Sequence, residues 1–231
     1  MVIFNDNIIL FIVVVITTMD LVLLFLLLIL KKHFINQDRE NKKITNSLNE
    51  ILVSYLLNNE TNSIDLETIK TLFKRKKEKE ILIQQLLVVN HNFSGIYSDK
   101  VFQLYKELEL YTISYKKIRR YRWYIKIQGM YELSTLQYDN AYVEICMLIN
   151  HKNDRVKQNV LISMIKLRKI EALLTLKDME LPMSEWTVIS ILGILKREPI
   201  KITREEFDQL NSGQSQFIRK LSIKLINVKY V

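Results

Sequence analysis

Residues 145–167 read ICMLINHKNDRVKQNVLISMIKL. An apolar run enters a polar turn, NHKND (Asn150 to Asp154), and the aliphatic–basic pair Val156-Lys157 opens a second periodic run. The same opening recurs along the chain. Ile125-Lys126 lies 31 residues earlier, and Ile218-Arg219 lies 62 residues later, twice that interval. The intermediate copy falls on Thr187-Val188, which lacks the base. Five positions beyond each start stand Met130, Leu161, Leu192 and Ile223, and eight beyond stand Leu133, Met164, Leu195 and Ile226. Residues three apart lie on one helix face, so each start opens an amphipathic helix. Another apolar-periodic stretch precedes three of them: Tyr142 to Leu148, Ile170 to Leu176 and Phe207 to Leu210. The unit is two helices of about 10–14 residues joined by short turns. One such hairpin cannot bury its apolar face alone. Stacked copies can, so the period predicts an α-solenoid.

Composition agrees with an all-α chain. The 231 residues hold only 4 Gly and 2 Pro, and the turns that β-hairpins require are nearly absent. The breaks that do occur carry helix-boundary chemistry. Pro182 ends one helix, Ser184 can cap the next with Glu185 in its first turn, and Asn211-Ser212-Gly213 forms another break. Gly129 falls inside a predicted helix, where it costs about 1 kcal/mol against Ala, so close helix packing is expected there.

The stretch 145–167 resembles a HEAT repeat: an aliphatic–basic pair opens the second helix, and Val160 follows one turn later. The turn Asp of that family falls on His151 here, and its Arg on Lys157. Over Tyr105 to Leu195, the segments YKELEL, KKIRRYRWYIKIQGMYEL, INHKNDRVKQNVLISMIKL and LPMSEWTVISILGIL follow in the same order as in a family of bacterial single-span membrane proteins with a cytoplasmic HEAT-repeat domain. The resemblance implies a right-handed HEAT-like solenoid over 99–231. It also implies an association with membrane glycosyltransferases of exopolysaccharide production. The array is expected to end at Val231 without a polar capping helix, so a partner or a second copy is expected over its last face.

The N-terminus supplies the membrane segment. Ile8 to Leu30 is 23 nearly continuous apolar residues, long enough as a helix for a bilayer core of about 30 Å. A cleavable signal peptide would need a basic start, a shorter apolar core and a small-residue cleavage site, and KKH follows instead. Residues 1–34 therefore read as a retained anchor. Lys31, Lys32, Arg39, Lys42 and Lys43 follow the span and only Asp6 precedes it, which places the N-terminus outside and the rest in the cytoplasm, at the inner membrane of a bacterium. The lone Cys agrees with a reducing compartment. Asp20 interrupts the span. It is either tolerated, protonated or bonded to Thr17, or it is a docking element, flanked by Thr17 and Thr18, for a second transmembrane helix.

Residues 35–98 read as a helical linker or N-terminal cap. A helix leaves the membrane over Ile35 to Leu57, and Asn58 to Ser63 is a polar boundary. Two helices, Ile64 to Phe73 and Glu80 to Val89, flank the KRKKEK run, and a loop follows over Asn90 to Ser98.

Net charge is +9, with basic clusters at Lys74 to Lys79 and Lys116 to Arg122. Such runs are solvated helix faces or, beside an anionic leaflet, contacts for lipid head groups; Lys31, Lys32, Lys74, Arg75, Lys76 and Lys77 are the head-group candidates. Nothing matches a nucleic-acid module, so no nucleic acid is expected. Trp123 and Trp186 either pack between repeats or anchor a partner, together with Lys126, Lys157 and Arg219 on the repeat surface. His33, His91 and His151 lack metal-ligand spacing, Cys146 reads as a core thiol, and no phosphate-binding glycine loop or nucleophile elbow occurs. No cofactor, metal or catalytic residue is expected. The expectation is a non-enzymatic scaffold for an integral membrane protein. The alternatives are a helical-repeat sensor of a soluble ligand, and an enzyme whose site has no recognisable motif.

Overall fold

The structure is a computed structural model. It describes residues 6–57, 69–71, 73–93, 95–179, 184–197 and 202–229. Among these the chain is helical and holds no strand. It divides into two compact units, Met1–Asn58 and Asn59–Val231.

The described residues of the first unit form one helix, α1 (Asp6–Leu57), of 52 residues. It runs through the Lys31-Lys32-His33 junction without a break. Its described apolar side chains from Leu10 to Leu30 are all exposed, as a lipid-facing surface would be in the absence of lipid. Within it, a window of mean hydropathy 2.9 makes α1 long and apolar enough to cross a bilayer. Thr17 and Thr18 return their hydroxyls to their own helix. Thr17 Oγ1 donates to the carbonyls of Val13 and Val14 at 3.0 Å each, and Thr18 Oγ1 to that of Val15 at 2.8 Å. The alternative of a Thr17–Asp20 bond is thus replaced by backbone bonding, as is usual for mid-helix hydroxyls.

In the second unit, residues 69–71 are helical and the predicted Asn58 to Ser63 loop lies outside the described residues. Next come α2 (Lys76–Asn92) and α3 (Ile96–Glu107). The break between helices falls at 73–75, at the start of the KRKKEK run, while Lys76 to Lys79 already belong to α2. Glu78 makes this possible: its carboxylate accepts the Arg75 N–H at 2.9 Å and places negative charge in the first turn. Of the loop expected over Asn90 to Ser98, residues 90–92 belong to α2 and 96–98 to α3, and Gly95 between them has φ 69°.

The rest of the second unit holds α4 (Tyr111–Ile118), α5 (Trp123–Thr135), a 3-10 turn (Asp139–Ala141), α6 (Tyr142–Cys146), α7 (Asp154–Leu176), α8 (Glu185–Arg197), α9 (Arg204–Ser212) and α10 (Gln216–Lys229). Helices meet near neighbours: α4 lies on α5, α5 on α7, α6 on α7, α7 on α8 and α9, and both α8 and α9 on α10. The helices that begin near the four period-31 starts are α5, α7, α8 and α10. Their inward positions Met130, Leu133, Val156, Val160, Leu161, Met164, Leu195 and Ile218 are buried. Leu192 is half-buried and Ile223 is 52% exposed; in α8 and α10 the inward face falls one or two residues earlier, on Ile191 and on Leu221 and Ser222, and the Ile226 side chain lies outside the described set.

The helices that precede them are shorter than expected. α4 has 8 residues and α6 has 5. The stretch Ile170 to Leu176 has no turn before it and follows a sharp break inside α7 at Lys169 (φ 45°, ψ −113°). Ser184 caps α8, accepting the Thr187 N–H at 3.3 Å. Thr203 and Glu206 form a reciprocal capping box on α9, unseen in the sequence: Thr203 N–H donates to Glu206 Oε2 at 2.8 Å and Glu206 N–H to Thr203 Oγ1 at 3.2 Å.

Two junctions are Schellman motifs without glycine. After α3, Leu110 N–H donates to the Tyr105 carbonyl at 3.1 Å and Glu109 N–H to that of Lys106 at 3.0 Å, with Glu109 at φ 51°. After α5, Tyr138 N–H donates to the Leu133 carbonyl at 2.9 Å and Gln137 N–H to that of Ser134 at 3.4 Å, with Gln137 at φ 50°. The left-handed position would ordinarily be Gly.

Candidate functional site

α4 and α5 cross closely because Gly129 faces α4. A Cβ there would lie 2.6 Å from the Ser114 carbonyl oxygen. The contact seats a polar cluster inside the domain. Glu132 is fully buried and accepts from Lys117 Nζ at 2.6 Å, Ser114 Oγ at 2.7 Å and Gln128 Nε2 at 2.9 Å. Gln84 Nε2 reaches it from α2 at 3.4 Å. Tyr105 OH donates to Ser114 Oγ at 2.8 Å, and its burial pushes the phenol well above its ordinary range. Each member is bonded, the condition under which a buried charge pair persists. Lys117 was expected on a solvated face. It is 8% exposed, because its charge is committed to Glu132.

Tyrosines pack beside this cluster. Tyr111 and Tyr138 stack at 4.4 Å between centroids, and Tyr115 meets Tyr138 edge-on at 5.9 Å. Burial, with Tyr138 and Glu144 nearby, pushes Tyr115 up to about 12. Across the 3-10 turn, Arg168 forks onto Asp139 at 2.9 and 3.0 Å, reaches Glu171 at 3.0 Å, and lies 4.1 Å above the Tyr142 ring. That fork holds the turn against α7. These groups order the domain. Burial also pushes the Cys146 thiol up, away from nucleophilic character. Among the described residues, no group of three or more His, Cys, Asp or Glu is placed to hold a metal ion.

The surface residues singled out in the sequence sort differently. Trp186 is 73% exposed and Trp123 is 37% exposed, so neither is enclosed between helices. Lys126 is buried, and its ammonium donates to the Ile118 carbonyl, which withdraws it from the repeat surface. Lys157 is partly covered and pairs with Asp154 at 3.0 Å, while Arg219 is exposed. Lys31, Lys32, Lys74, Arg75, Lys76 and Lys77 are all exposed. The structure adds Tyr121, Tyr124, Lys152 and Arg155 to the surface beside Trp123. Their signal was the basic-aromatic run RRYRWY itself, but the contribution of the next turn depends on tertiary packing. Asp20, with Thr17 and Thr18, lies on an exposed face of α1. No protein-family model matches the chain, and a search of curated proteins finds no match to it.

Proposed function

We propose that this protein is a membrane-anchored helical adaptor, without catalysis of its own, that holds an integral membrane partner at the inner face of a bacterial membrane. The observation that carries the reading is α1, whose exposed apolar segment has its one carboxylate, Asp20, near its centre. Association between helices in lipid depends on packing and polar contacts, and Asp20 supplies an acceptor for a second span. The basic flank after the span supports a cytoplasmic second unit. Near-neighbour packing of α5, α7, α8 and α10 at the 31-residue period supports a right-handed, HEAT-like stack of hairpins over the repeat region. The resemblance to single-span HEAT-repeat proteins makes a glycosyltransferase of exopolysaccharide synthesis the partner of choice.

Capture of the full chain from membranes in mild detergent, followed by mass spectrometry, tests this. An integral membrane protein should be enriched with the wild type and depleted with Asp20→Leu, at equal membrane level. Equal recovery with Asp20→Leu and with Leu24→Ala would make α1 an anchor alone. An active alkaline phosphatase fused to the C-terminus would reverse the topology.

A further inference from the structure

The α4–α5 turn and the α6–α7 turn form one exposed surface. The Lys152 ammonium sits 5.9 Å from the Tyr121 ring centre, and the Arg155 guanidinium 5.2 Å from that of Trp123. Two turns distant in sequence thus stand side by side. Three aromatic rings emerge there: Tyr121 is 89% exposed, Tyr124 50% and Trp123 37%. On and beside the two turns the bases Arg119, Arg120, Arg122, Lys152 and Arg155 are exposed, and the carboxylates Glu144 and Asp154 are paired there. Glu144 binds Arg119 at 2.8 Å, and Asp154 binds Lys157 at 3.0 Å. Arg122 steadies Tyr124, donating to its hydroxyl at 3.0 Å.

We propose that this surface docks on anionic phospholipid, its bases at the lipid phosphates and Tyr121, Trp123 and Tyr124 in the head-group layer. Tyr and Trp favour that layer because each has an apolar body and a polar tip. Basic side chains beside them reach phosphates while their stems cover apolar surface. Single-stranded nucleic acid takes aromatic rings as the floor of a basic groove. Here the Tyr121 ring stands clear of the surface at the tip of a turn. The same chain also carries a helix apolar enough to cross a bilayer. The proposal rests on that anchor and needs no protein partner.

The chain has two tryptophans, so Trp186→Phe leaves Trp123 as the sole fluorescent reporter of this surface. Full-length Trp186→Phe protein is reconstituted in nanodiscs of phosphatidylcholine alone, or with about a third phosphatidylglycerol. Recovery in the neutral discs tests the anchor separately. With phosphatidylglycerol, Trp123 emission should shift to the blue and be quenched by lipids brominated on the acyl chains, and molar salt should reverse both changes. Arg120→Gln with Arg122→Gln, both at exposed positions, should keep the helical circular dichroism. That pair should lower the docked-to-free ratio about fivefold per base, or about 25-fold together. Identical Trp123 emission in the two disc types would overturn the proposal. So would a response in neutral discs to single-stranded RNA or to an acidic protein with none to phosphatidylglycerol.

Discussion

Gly129→Ala isolates the contact on which the buried cluster is built. In a solvated helix interior this substitution stabilises by about 1 kcal/mol. Here the new methyl would sit 2.6 Å from the Ser114 carbonyl oxygen and 2.9 Å from both the Ile118 nitrogen and the Lys117 Cβ. Ordinary contact begins at 3.4 Å, so α4 must retreat by as much as 0.8 Å. Two of the atoms met are backbone, and no rotamer change relieves them. Overpacking of this kind costs about 1–3 kcal/mol. Ser114 and Lys117 are also the residues that bind Glu132, at 2.7 and 2.6 Å, and hydrogen bonds to charged groups contribute about 1.5–3 kcal/mol each. Stretching both while recovering the propensity gain leaves a net loss of about 2–4 kcal/mol. Gly193 in α8 is the internal control. A Cβ there meets nothing within 4 Å, so Gly193→Ala should stabilise by about 1 kcal/mol. Urea melts of both full-length variants in detergent, followed by circular dichroism, give the two signs. A Gly129→Ala midpoint at or above wild type would refute the reasoning.

Lys117→Met leaves Glu132 buried without its cation and should cost about 3–5 kcal/mol, with much of the loss recovered when Glu132→Leu is added; additive losses in the same melts would deny the pairing. Glu109→Gly and Gln137→Gly each relieve a left-handed backbone and should raise stability by about 1 kcal/mol, whereas unchanged melts would mean that neither position is strained. Tyr115 titrates near 12 in the folded state and near 10 when unfolded, so the folded state holds its proton longer. That stability is complete below about pH 10 and is lost as pH rises through about 12, and tyrosinate absorbance that develops fully near pH 10 before any unfolding would contradict it.

Much of the helical core is legible in the sequence because its signals are local. The starts at Val156, Thr187 and Ile218 mark buried positions, Ser184 is a cap, and Gly129 is a close approach; each follows from spacing of a few residues. What escapes is non-local or unpunctuated. Lys117 and Glu132 lie 15 residues apart, on different helices, and only the crossing at Gly129 brings them together. Lys126 carries the same charge as its neighbours, yet an unpaired carbonyl at the end of α4 draws it inward. Lys169, Glu109 and Gln137 break helices at positive φ with no Gly or Pro to announce it. The basic-aromatic surface was half visible, since RRYRWY is contiguous while Lys152 and Arg155 join it only through packing of consecutive turns.

α1 has a mechanical consequence. A Gly/Ser-rich segment after Leu30 would act as a leash and erase any memory of how the apolar segment is oriented. A 52-residue helix with no break acts as a shaft. Leu48, Leu52 and Leu56, one turn apart and buried, form a stripe on α1. Each residue advances about 1.5 Å and turns about 100°, so the angular phase between Asp20 and that stripe is set by residue count alone. A partner that grips Asp20 and twists α1 thereby twists that stripe by the same angle. Deleting one residue between Leu30 and Leu48 would mis-time the shaft by more than a quarter turn while leaving its composition, charge and length almost untouched.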